Sequence, residues 1–120
     1  MAVRSYRELE VWQSSMDWVE QVYHHSRSFP ADERFGLTSQ VRRAAVSVAA
    51  NIAEGAARRS TGEFLQFIGI AKGSLAEGET LLILAKRLKL FEGASADVLL
   101  HDADRIGRML SGLSRSLEAN

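Results

Sequence analysis

Apolar residues recur at spacings of three and four along nearly the whole chain, and only Pro30 interrupts the backbone's freedom to stay helical. A period of 3.6 residues sustained this way confines the fold to packed helices. Four stretches carry it. Leu9, Trp12, Met16, Val19, Tyr23 and Ser26 form the first stripe, and Trp18 lies off it, as an interface anchor would. Leu37, Val41, Ala44, Val48 and Ile52 form the second. The third is Phe64, Phe67, Ala71, Leu75, Gly78, Leu82 and Ala85, with further apolar residues on other faces. A helix apolar on more than one face is buried on more than one side. Leu99, Ile106, Leu110, Leu113 and Leu117 make the fourth.

Local signals set the helix ends. "SYRE" (Ser5 to Glu8) and "STGE" (Ser60 to Glu63) have capping-box form, a hydroxyl followed three residues later by Glu. Gly55 reads as a left-handed residue closing helix two, with Arg58 and Arg59 near the negative end of its dipole. The spacing predicts helices over about 6–29, 32–57, 61–90 and 95–118 of one domain spanning 1–120. Short connections favour antiparallel neighbours, so the expected fold is all-α, an antiparallel up-down four-helix bundle.

Composition bounds what such a bundle does. There is no cysteine, which excludes disulfides and thiolate metal sites. No apolar run approaches a membrane span, and the N-terminal residues lack the pattern of a signal peptide, so the cytoplasm is the simplest compartment. Net charge is zero, but residues 34–59 hold five Arg against one Glu.

Helix two divides into three faces at about 100° per residue. Beside the core stripe runs a polar one: Gln40, Arg43, Ser47, Asn51, Glu54 and Arg58. A solvated face is usually rich in Lys and Glu, whereas amides and hydroxyls suit fixed partners. The third face, Val46, Ala49, Ala50, Ala53 and Ala57, permits close approach of another helix. On helix three, Gly69, Gly73 and Ala76 again suggest a packed backbone. These small faces, with the surplus apolar faces, point to homo-oligomer contacts.

The combination of "FGLTSQVRRAAVSVAANIAEG" (Phe35 to Gly55), "EFLQFIGIAKGSLAEGETLLILAKRLKL" (Glu63 to Leu90) and the opening "YRELEVWQSSM" resembles a bacterial family first found encoded by intervening sequences within 23S rRNA genes. The resemblance implies a four-helix bundle that associates into a homopentamer and has no known enzymatic activity. A related branch serves diversity-generating retroelements, binding a reverse transcriptase and nucleic acid through basic surfaces. The family motif falls on Gln40, Arg43, Ser47, Asn51, Glu54 and Gly55, and on Phe64, Gly73, Ser74 and Glu77. Gly78 stands where the family pattern has a larger apolar residue, a departure expected to loosen packing.

Chemistry finds little foothold. A di-iron bundle needs Glu-x-x-His pairs on facing helices. Here Glu20 and His24, and Asp97 and His101, stand at i, i+4 without enough further ligands. Lys72-Gly73-Ser74 has the wrong order for a phosphate loop. Ser47 and Ser74 have no convincing histidine base. The reading is therefore a non-enzymatic oligomeric scaffold with no catalytic, metal or cofactor site and no evident small-molecule substrate. The polar stripe, with Gly73, Ser74 and Glu77, is a candidate subunit interface. Arg34, Arg42, Arg58 and Arg59 are candidate RNA or DNA contacts; the competing use is pairing of Arg43 and Arg58 with carboxylates such as Glu54 and Glu77.

Overall fold

The structure is a computed structural model that describes residues 5–119. Four helices carry it: α1 (Glu10–Ser26), α2 (Leu37–Ala56), α3 (Thr61–Arg87) and α4 (Gly93–Glu118). Short 3-10 turns at Tyr6–Glu8 and Ala31–Glu33 precede the first two. Among the described residues the backbone of each helix lies close to its chain-order neighbours, with α1 closing on α4, and no Cα atoms approach within 8 Å between α1 and α3 or between α2 and α4. The helices therefore stand at the corners of a square in an antiparallel up-down bundle. It measures 46 × 23 × 20 Å.

The stripes of α2, α3 and α4 are buried as their spacing predicts, with Ile68 joining the α3 core and Phe67 and Leu113 half-buried. In α1 the expected stripe is the wrong one. Val11, Ser15, Trp18, Val22 and Ser26 face the core, while Met16 and Tyr23 are exposed and Trp12 and Val19 only half-buried. Trp18 is 1 % exposed, and its indole N–H donates to the Leu99 carbonyl of α4 at 3.0 Å. The serines obscured this face. The Ser15 hydroxyl donates to the Val11 carbonyl at 2.7 Å, so its burial leaves no unmet hydrogen bond.

Two glycines have different roles from those expected. Gly78 does not loosen the core: a Cβ there would stand 3.1 Å from Trp18 Cη2, so its missing side chain is the space the indole occupies. Gly55 is not left-handed, since no described glycine has a positive φ. It is buried inside α2, where a Cβ would meet Phe67 Cβ at 2.6 Å and Phe64 Cδ1 at 3.1 Å. The absence of a side chain sets how closely α2 and α3 approach, and theirs is the most extensive pairing in the bundle.

The ends are more local. Ser60, in extended conformation, accepts from the Glu63 amide at 3.1 Å, and its hydroxyl donates to the Glu63 carboxylate at 3.1 Å, so α3 begins as expected. Ser5 instead caps the 3-10 turn through the Arg7 amide, and α1 starts at Glu10. Glu33 reaches forward to accept from the Leu37 amide at 3.2 Å, which places the start of α2 at Leu37 rather than near residue 32. Among the described residues the left-handed one is Lys89 (φ 59°), just past α3. Around it the Leu90 amide donates to Ala85 O and the Lys89 amide to Lys86 O, both at 3.0 Å, the Schellman pattern.

A side chain at a left-handed position costs about 1–2 kcal/mol. Lys89→Gly should therefore stabilise the fold by about 1 kcal/mol in urea unfolding. Gly55→Ala should destabilise it by about 1–2 kcal/mol despite alanine's better helix propensity, because backbone and Phe67 must separate. An unchanged or raised midpoint for Gly55→Ala would contradict the close-approach account.

Candidate functional site

The polar stripe of α2 faces α3 across a groove of about 370 Å³ lined by Gln40, Arg43, Ala44, Ser47, Ser74 and Glu77. Its floor is a hydrogen-bonded clasp. Ser47 Oγ and Ser74 Oγ lie 2.8 Å apart, and Asn51 Nδ2 donates to Ser47 O at 2.8 Å and to Ser47 Oγ at 3.0 Å. The amide and hydroxyls thus have the fixed partners their chemistry suggested, within one chain. Glu54 accepts from Arg58 at 3.0 Å. Gln40, Arg43 and Glu77 are exposed, and their side chains make no hydrogen bond or ion pair with a described residue. Gly73 is exposed too, with nothing within 4 Å of where a Cβ would stand. The same is true of Gly69, so the helix expected to pack against these glycines is absent from the single chain.

A second groove, of about 250 Å³, lies between α1 and α2. Tyr6, Trp12, Met16 and Val19 form one wall, and Val46, Ala49, Ala50 and Ala53 the other. Tyr6 and Trp12 meet edge to face at 5.2 Å. The alanine face of α2 therefore has a counterpart that was assigned to the core: the outward residues of α1. The signal that could have found it was the second apolar face of the first helix, Val11, Trp18 and Val22, which left one of the two without a place inside.

The candidate nucleic-acid arginines do not converge. Arg42 closes the C-terminal end of α1: its Nε donates to Ser26 Oγ at 2.8 Å, and its guanidinium stacks 4.7 Å from the Tyr23 ring centroid. Cations suit that end of the helix dipole. Arg58 is held by Glu54, lies 3.9 Å from a Glu63 carboxylate oxygen, and covers the Phe67 ring at 4.8 Å. Arg34 stacks over Phe35, itself 87 % exposed, on the connection before α2. Arg59, on the α2–α3 connection, is exposed without a carboxylate partner among the described residues. Asp97, one of the carboxylates weighed as a metal ligand, pairs with Lys86 at 2.6 Å.

Between α3 and α4 a groove of about 320 Å³ holds Glu79 beside Asp104, Arg108 and Arg115. Burial, and then the Asp104 carboxylate, raise the Glu79 pKa above its ordinary value. Arg108 is bonded to Asp104 at 3.0 Å. Because the folded chain holds this proton where the unfolded chain has released it, Glu79 costs stability as pH rises from the ordinary glutamate value through the raised one. Glu79→Gln should raise the melting temperature at pH ~7 and leave it nearly unchanged at pH ~3, where both states are protonated. An equal gain at both pH values would contradict this.

Comparison with known proteins agrees with this geometry. The profile of the 23S rRNA-intervening sequence proteins matches residues 7–112. A crystal structure of a protein with unknown function from the S23 ribosomal protein family, from Bacteroides thetaiotaomicron, superimposes with a TM-score of 0.81. That alignment covers 88 % of this chain and 95 % of the other at 21 % identity, a likeness of fold. No curated protein matches the chain. With the family profile matching residues 7–112, most of its length, the chain belongs to the 23S rRNA-intervening sequence protein family.

Proposed function

We propose that this protein is a non-enzymatic scaffold that works as a homo-oligomer, with five subunits as the state implied by its family resemblance. The observation that carries this reading is the open groove between α1 and α2. An aromatic, a methionine and a valine on one helix face a valine and alanines on the other, and Met16, Val46 and Ala50 are exposed among the described residues. Contiguous apolar surface of this kind marks an interaction site in a folded protein. Alanine at the rim lets another backbone approach closely, and Trp12 and Met16 supply the large and adaptable side chains that favour interface cores.

Native mass spectrometry of the full chain at micromolar concentration tests this. The reading predicts a fivefold multiple of the 13.2 kDa subunit. A stable monomer contradicts it. Ala50→Arg, on the exposed rim, should lower the mass while leaving the helical circular dichroism intact.

A second reading, RNA or DNA binding with a possible protein partner such as a reverse transcriptase, draws its support from Arg34 and Arg59. These two have no carboxylate partner among the described residues, and a ring would repeat them in every subunit. It predicts binding that falls steeply with salt and weakens in Arg59→Ala. No binding at low salt would exclude it.

A further inference from the structure

The groove between α2 and α3 carries charge that the chain leaves unmatched. Glu54 and Arg58, the other charged members of the α2 stripe, are tied to each other. Arg43 on the α2 wall and Glu77 on the α3 wall are exposed, and neither side chain has a hydrogen bond or ion pair with a described residue. They line one groove without meeting each other. The Ser47–Ser74 floor between them is neutral and already bonded, so it offers neither charge a local partner.

A cation on one wall and a carboxylate on the other make this groove complementary to itself. A second copy that sets its α3 wall against this α2 wall brings a carboxylate to Arg43; the reverse contact brings a guanidinium to Glu77. Gly73 lies one turn before Glu77 on α3, and nothing stands within 4 Å of its missing Cβ. The surface of α3 one turn before Glu77 is therefore open.

We propose that Arg43 of one subunit forms an ion pair with Glu77 of the partner subunit across this groove, and that the partner it selects is a second copy of this chain. The proposal rests on the self-association reading and adds the contact that fixes orientation. Apolar burial between α1 and α2 favours association without direction. Opposite charges placed across an interface set register, and like charges there reject misaligned copies.

Charge exchange tests it. Sedimentation velocity over a concentration series compares the wild-type chain with Arg43→Glu, Glu77→Arg and the double variant. Each single change places like charges together and should weaken association by about tenfold or more. The double variant restores opposite signs and should return to within about threefold of wild type. Both positions are exposed, so helical circular dichroism should be unchanged; if either reversal fails to fold, Arg43→Gln and Glu77→Gln replace it and should weaken association in the same direction. Single variants that assemble like wild type overturn the proposal, as does a double variant no better than the singles. A wild-type chain that is monomeric removes the scaffold reading and this pair with it. A wild-type oligomer indifferent to both reversals removes the pair alone.

Discussion

Trp18 reaches from α1 across the centre of the bundle to Gly78 of α3, and its indole N–H ends on the Leu99 carbonyl of α4. One side chain thus ties together helices that include a diagonal pair, α1 and α3, whose Cα atoms nowhere come within 8 Å. A buried tryptophan removes about 150–250 Å² from water, and its polar tip needs a partner when buried. The absence of a Cβ at position 78 gives the ring its room, since a Cβ there would stand 3.1 Å from Trp18 Cη2. The fit also fixes how α1 is rotated about its own axis. With Trp18 pointing inward, Trp12, Met16 and Tyr23 must point outward or sideways. The apolar groove on the outside is therefore a consequence of the core and not a separate feature.

The pairing of α2 with α3 depends on a similar economy of side chains. Gly55 lets the helices close at one end, against Phe64 and Phe67. Nearer the middle the Asn51–Ser47–Ser74 clasp holds them by hydrogen bonds along a half-buried line. Polar groups in such a place rigidify a contact only when each finds a partner. That requirement explains why amides and hydroxyls occupy this line, while Arg43 and Glu77, farther out, are exposed. The motif residues thus combine two jobs. Ser47, Asn51, Gly55 and Ser74 join helices of one chain, and Gln40, Arg43, Gly73 and Glu77 remain at its surface.

The fold was legible because three of the four helices bury a single regular stripe, and Leu99, Ile106 and Leu110 or Val41, Val48 and Ile52 admit no other arrangement. Helix α1 was misread for a physical reason. It is apolar on two sides, and its true core face contains Ser15 and Ser26, whose hydroxyls are satisfied by backbone carbonyls one turn back. Periodicity counts such serines as polar. Gly55 and Gly78 were misread because a glycine's purpose lies in its neighbours: only the positions of Phe67 and Trp18 show why a side chain is excluded. For the candidate site, the stripe of α2 was visible in its spacing. Its division into clasp and open charge was not, since that depends on which side chains of α3 come within 3 Å.

The central claim is that the inward Trp18 leaves Trp12 at the surface of one chain to be covered by another. The chain has only these two tryptophans, so 5-fluorotryptophan labelling gives fluorine NMR signals for each site, and dilution series follow both at once. The account predicts that the Trp12 resonance shifts toward its solvent-exposed value as the protein is diluted and dissociates, while the Trp18 resonance stays fixed. Two resonances that are both independent of concentration, with Trp12 open to solvent throughout, would contradict it.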